Sequence, residues 1–107
     1  MARTPRMAQI EALLAEDPDD AFLRYGLAME HASAGDDAAC VEVLRDLMAR
    51  TTASPYIPAF LQCAQALLRL ERTDEAADIL RRGIQAAREA GDTHAEGEMQ
   101  ALLAMVE

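Results

Sequence analysis

Apolar residues recur three and four positions apart along most of the chain, and short polar breaks interrupt them. That period predicts amphipathic helices, and the breaks divide the chain into six. Met7, Ile10, Leu13 and Leu14 form the apolar stripe of an opening helix over 4–16, with Thr4 as its cap and Pro5 at its first position. Asp17-Pro18-Asp19-Asp20 ends this helix and begins the second, where the acids face the positive end of the helix dipole. Phe22, Tyr25, Ala28, Met29 and Ala32 carry the second stripe to about Ala34, and Gly35, free to take a positive φ, stops it. Asp36 or Asp37 caps the third helix, whose stripe is Cys40, Val41, Leu44, Leu47 and Met48.

Thr51-Thr52-Ala53-Ser54-Pro55 is the longest break. Pro58 must then lie in the first turn of the fourth helix, since a later proline would remove a backbone bond. Ile57, Phe60, Leu61, Ala64, Leu67 and Leu68 form its apolar face. No glycine ends that helix; Glu71-Arg72 make the turn. Thr73 is the expected cap of the fifth helix, whose stripe is Ala76, Ala77, Ile79, Leu80 and Ile84, and Gly91 ends it after Ala90. Thr93 with Glu96 reads as a capping box for the last helix, with Ala95, Met99, Leu102 and Val106 inward. Short loops force consecutive helices to lie antiparallel, as hairpins. The expectation is one all-α domain over 1–107.

The second hairpin echoes the first. A shift of 36 residues brings the turn at Gly35-Asp36 onto Glu71-Arg72. Leu27-Ala28 then falls on Cys63-Ala64, Cys40-Val41 on Ala76-Ala77, Val43-Leu44 on Ile79-Leu80, and Met48 on Ile84. Small residues recur where two helices must approach closely, and large ones where a gap must be filled. A period near this length, built of helix–turn–helix units, marks a stacked helical array.

At these residues the chain resembles the tetratricopeptide repeat family, and small bacterial members of it. Leu27-Ala28 stands for the large-small pair of a unit's first helix, and Cys40 for the small residue early in its second. Phe60 occupies the aromatic position of the second unit, and Thr73-Asp74-Glu75-Ala76-Ala77 is close to the acidic, Glu-Ala start of a second helix. Pro18 and Pro55 stand where a proline often separates units. Departures are Arg24 at the first unit's aromatic place, His31 for a usual Tyr, Gly83 for a usual Ala, and a first unit two residues too long. The resemblance implies antiparallel hairpins stacked as a short right-handed superhelix of about six helices. It divides the chain into an opening helix at 4–16, repeats at 20–50 and 56–90, and a closing helix at 93–107.

Composition narrows the function. Half of the residues are apolar, aromatics are few, and 19 acids face 10 bases, all Arg, for a formal charge of −9. A duplex-binding domain needs a basic stripe, and an anionic membrane surface repels such a chain, so neither nucleic acid nor membrane is expected as a partner. Cys40 and Cys63 lie far apart among apolar neighbours and read as small core residues. No apolar run follows the charged residues of Met1 to Glu11, so no signal peptide is read there, and the longest apolar stretch, Ala101–Val106, is too short to span a bilayer. A cytoplasmic protein is the expectation.

Catalytic patterns are missing from the sequence. His31 and His94 fall on separate hairpins, a poor arrangement for zinc. Glu16-Asp17-Pro18-Asp19-Asp20 and Asp36-Asp37 lack the wrapped, glycine-bearing loop of a calcium site and read as helix caps. Glu42 and Asp46 with Arg45 and Arg50, and Asp78 with Arg81 and Arg82, read as pairs on a solvated helix surface. Catalytic residues, metal and cofactor are all expected to be none.

Phe22, Tyr25 and Met29 share one helix face by spacing, a tolerant apolar surface for a peptide or helix. A core role beneath the opening helix fits the same spacing. The resemblance places Phe22, Tyr25, Met29, Leu61, Gln65 and Arg69 on or near a concave groove lined by the first helix of each hairpin. It thereby implies a non-catalytic module that binds a protein or peptide partner. One subgroup of the family clamps a C-terminal carboxylate with Lys and Asn; Tyr25, Met29, Leu61 and Gln65 stand at those places here, so that ligand is not expected. Arg24, Arg69 and Arg72 are candidate anchors for an acidic partner. A second expectation is self-association as a homodimer or structural subunit, through the small face of Gly97, Ala101 and Ala104 beside Met105 on the last helix.

Overall fold

The computed structural model describes residues 3–107; Met1 and Ala2, the first two residues of the expected 1–107 domain, lie outside the described residues. Six helices follow one another: α1 (Pro5–Glu16), α2 (Ala21–Ser33), α3 (Asp37–Arg50), α4 (Pro58–Arg69), α5 (Thr73–Ala90) and α6 (Thr93–Val106). No strand occurs among the described residues. Each helix packs on the next in order, α1 on α2 through to α5 on α6, as short loops between amphipathic helices require.

Local chemistry sets most of the boundaries. The Thr4 side chain accepts the Met7 N–H, with Pro5 at the first helical position. Asp20 caps α2 by accepting from Leu23 N–H, and Asp36 caps α3 by accepting from Ala39 N–H. Two expected caps are corrected. Thr73 is the first residue inside α5, and Arg72, at the cap position, offers no side-chain cap; it pairs with Glu75 in the first turn instead, at 2.6 Å. Thr93 is likewise inside α6, and the cap is Asp92, whose Oδ1 accepts the Ala95 N–H. At α6 it is Asp92 that has the non-helical angles of a cap, and its negative charge suits the N-terminal amides.

The repeat appears in the turns as well as in the core. Gly35 has φ 81° and Glu71 φ 59°. Asp36 N–H donates to His31 O at 2.9 Å, and Arg72 N–H to Leu67 O at 2.8 Å, the same bond 36 residues on. Gly91, at φ 72°, ends α5 in the same way, with Asp92 N–H donating to Ala87 O. These are Schellman turns, which satisfy helix-end carbonyls that would otherwise lack donors.

One core runs through α2 to α6. Ala28 and Ala64, Cys40 and Ala76, and Leu44 and Leu80, paired by the repeat, are all fully buried. Met48 and its counterpart Ile84 are also buried. Small residues at the first two pairs let the helices of each hairpin approach closely. Cys40 and Cys63 are free and buried in this core. Arg24, at the first unit's aromatic place, ties loop and helix together. Its Nε donates to Pro18 O at 2.7 Å, and its Nη1 meets Asp46 at 3.0 Å on α3. Asp46 also pairs with Arg50, as read from the sequence, but Arg45 reaches Glu75 on α5, and Arg81 reaches Glu107 past the end of α6.

Candidate functional site

The two candidate surfaces rest on how α4 and α6 begin. Ile57 has helical backbone angles at the start of α4, and Pro58 follows at the first helical position. Proline lacks the N–H that would go unpaired there, so α4 starts without a side-chain cap. Leu61 stands one turn further on. At the other side the positive φ of Gly91 and the Asp92 cap start α6 with Ala95 and Met99 toward the core.

Gly83 decides how closely these helices meet. A Cβ there would lie 2.5 Å from Met99 Sδ and 2.6 Å from Phe60 Cβ. Phe60 of α4 and Met99 of α6 thus occupy the space over Gly83 of α5 that a side chain would fill. This explains glycine where the family resemblance leads one to expect alanine. Above this contact, Ile57, Pro58, Leu61, Ala95 and Met99 bound a cleft of about 220 Å³ between α4 and α6. Its remaining lining is Gln62, Asp92, His94 and Glu98. Asp92 uses Oδ1 on Ala95 N–H, and Glu98 Oε1 lies 3.2 Å from His94 Nε2.

A second cleft, of about 360 Å³, lies between α1 and α2. Leu13 and Phe22, 50% and 72% exposed, stand there beside Ile10, Leu23 and Gly26, with Arg6 and Gln9 as its polar residues.

The six expected groove residues divide between different surroundings. Phe22 lines the α1/α2 cleft and Leu61 the α4/α6 cleft. Tyr25 and Met29 are half-buried against the core of α2 to α6. Tyr25 meets Tyr56 with ring centroids 5.3 Å apart and planes tilted by 44°, a favourable offset geometry, and burial raises its hydroxyl pKa. Gln65 is half-buried, and Arg69 pairs with Asp37 of α3 at 2.9 Å. Arg72 pairs with Glu75. Ile57, Pro58 and the α6 contribution to the cleft were absent from the expected groove. The proline in the first turn and the inward stripe of α6 were the signals for them.

On α6 the expected self-association residues Gly97, Ala101, Ala104 and Met105 are all exposed, Met105 at 80%, and a Cβ at Gly97 would meet nothing within 4 Å. His31 is half-buried in α2 and His94 exposed in α6. Among the described residues no three His, Cys, Asp or Glu side chains converge as a metal-binding group, and no helix is long and apolar enough to cross a membrane.

No protein-family model matches the chain, and no curated protein matches it. Solved structures do. The solution structure of a tetratricopeptide repeat domain protein from Salinibacter ruber has a TM-score of 0.77 at 30% identity, covering 84% of this chain and 89% of that one. A crystal structure of the same Salinibacter ruber domain protein gives 0.74 at 29% identity, covering 81% and 94%. The solution structure of a protein from Bordetella parapertussis, at 23% identity, shares the fold with a TM-score of 0.80, covering 98% and 89%. With the repeated turns, the paired small residues and this likeness together, the chain belongs to the tetratricopeptide repeat family.

Proposed function

We propose that the protein is a non-catalytic interaction module that binds a peptide or helix of a partner protein, seated between α4, the first helix of the second hairpin, and the closing helix α6. The repeats are those at 20–50 and 56–90, between an opening and a closing helix. The observation that carries this reading is the apolar cleft at Ile57, Pro58, Leu61 and Met99. It lies between α4 and α6, whose Phe60 and Met99 meet over Gly83, and its size suits one apolar anchor side chain of a bound segment. The charge of −9 supports a protein partner over nucleic acid or membrane. Free Cys40 and Cys63 support a reducing compartment, the cytoplasm.

Panning the purified protein against a displayed library of 12-residue peptides tests the reading. Enriched peptides are expected, with capture lost in Leu61→Gln and Ile57→Gln while circular dichroism stays helical. No enrichment, or enriched peptides indifferent to both changes, overturns it.

A second reading, a self-associating subunit, rests on the exposed α6 face of Gly97, Ala101, Ala104 and Met105. Light scattering over a range of concentrations tests it. A rise in mass abolished by Ala101→Arg supports it, and a monomer throughout removes it.

A further inference from the structure

We infer that the partner segment seated in the α4/α6 cleft is cationic as well as apolar: a large apolar side chain with Arg or Lys beside it. This rests on the interaction-module reading and adds the partner's chemistry to it. The apolar floor is Ile57, Pro58, Leu61 and Met99, and the carboxylates on the lining are Asp92 and Glu98, with no Arg among them. Arg88, on α5, is held by Glu96 at 2.8 Å. Arg69, further along α4, is held by Asp37. His94 is the one basic group of the lining, and it lies against Glu98.

The cleft therefore presents acceptors around an apolar floor. An incoming acid would meet like charge, whereas a guanidinium or ammonium would gain charge-assisted hydrogen bonds at the rim. The whole chain's surplus of acids over bases steers the same class of partner toward it.

Three fluorescein-labelled 12-residue peptides test this by anisotropy with the full chain. They share Leu at every third or fourth position and carry Arg, Gln or Glu at the places between. The Arg peptide is expected to bind at least about tenfold more tightly than the Gln peptide, the Glu peptide least, with the difference shrinking as salt is raised. Glu98→Arg is expected to remove most of that preference, and Glu16→Arg on α1, which changes net charge equally but lies outside the cleft, to leave it in place. Equal binding of the Arg and Gln peptides overturns the inference while leaving the interaction module standing. Equal effects of Glu98→Arg and Glu16→Arg overturn it too, because attraction to overall charge then suffices. If none of the three peptides binds, the inference falls, and the panning experiment separately decides whether the module reading falls with it.

Discussion

Glu71 holds the left-handed backbone conformation that Gly35 holds 36 residues earlier, in a turn with the same hydrogen bonds. Glycine takes that conformation without a steric penalty, whereas a residue with a Cβ carries a cost of roughly 1–2 kcal/mol there. Part of the gain from replacing it is lost because glycine also frees the unfolded chain. Glu71→Gly is therefore expected to stabilise the protein by about 0.5–1 kcal/mol. Gly35→Ala, the reverse exchange at the matching site, is expected to destabilise it by about 1 kcal/mol. Urea unfolding followed by circular dichroism reads both. A Glu71→Gly protein less stable than its parent would show that the Glu71 side chain contributes more than its backbone costs.

Two helical glycines are expected to respond oppositely to the same change. Gly83→Ala drives a methyl into Phe60 Cβ and Met99 Sδ. Met99 can swing its sulfur away, but Phe60 can retreat only by moving α4, so a loss of about 1–3 kcal/mol is expected. Gly97→Ala meets open space on α6, and the gain in helix propensity should stabilise the protein by up to about 1 kcal/mol. The thermal midpoints of the two variants should move in opposite directions.

The same residues show how far the fold could be read from the sequence. Helix number, the turns at Gly35 and Gly91 and most of the inward stripes follow from local periodicity and backbone freedom, which a sequence carries directly; Leu13 and Phe22, expected in the stripes of α1 and α2, are exposed instead. The caps of α5 and α6 were misplaced because Thr73 and Thr93 are good capping types, while Asp92 and Arg72 one residue earlier take the non-helical angles. The choice between neighbouring polar residues depends on a single pair of dihedrals. The expected groove proved harder still. Spacing puts Phe22, Tyr25 and Met29 on one face, but only the packing of α1 and of Tyr56 decides which of them is covered. Gly83 was legible as a departure from the family pattern, and its reason became visible only with Phe60 and Met99 in place.

Thr4 couples the opening helix to the first repeat. Its hydroxyl oxygen accepts the Met7 N–H at 3.1 Å, and its hydroxyl donates to Glu30 Oε1 on α2 at 3.0 Å. Thr4→Ala removes the cap and the bridge, and a loss of about 1–2 kcal/mol is expected. Thr4→Ser keeps both bonds and should restore most of it. Hydrogen exchange distinguishes local from global effects: faster exchange confined to the amides of α1 is expected, with α3 to α5 little changed.

Stability should fall in alkaline solution through the two buried thiols. Burial pushes Cys40 and Cys63 up to about 11, and the proximity of the two adds to the rise at Cys40. In the unfolded chain a thiol titrates at about 9.0. Below that pH both states hold the proton and the thiols contribute no pH dependence. Between there and about 11 the unfolded chain loses its thiol protons while the folded protein keeps them, so the unfolded state is progressively favoured. By pH 10.5 this amounts to roughly 2 kcal/mol for each cysteine. Cys40→Ala with Cys63→Ala should begin from a lower stability at neutral pH, because two core atoms are lost. It should then decline much less between pH 7.5 and pH 10.5 in urea unfolding. The repeat already carries Ala76 at the position of Cys40 and Ala64 beside Cys63, so alanine suits the local helix spacing. Equal declines in the parent and the double variant would mean that other groups, such as the half-buried Tyr25, carry the alkaline sensitivity.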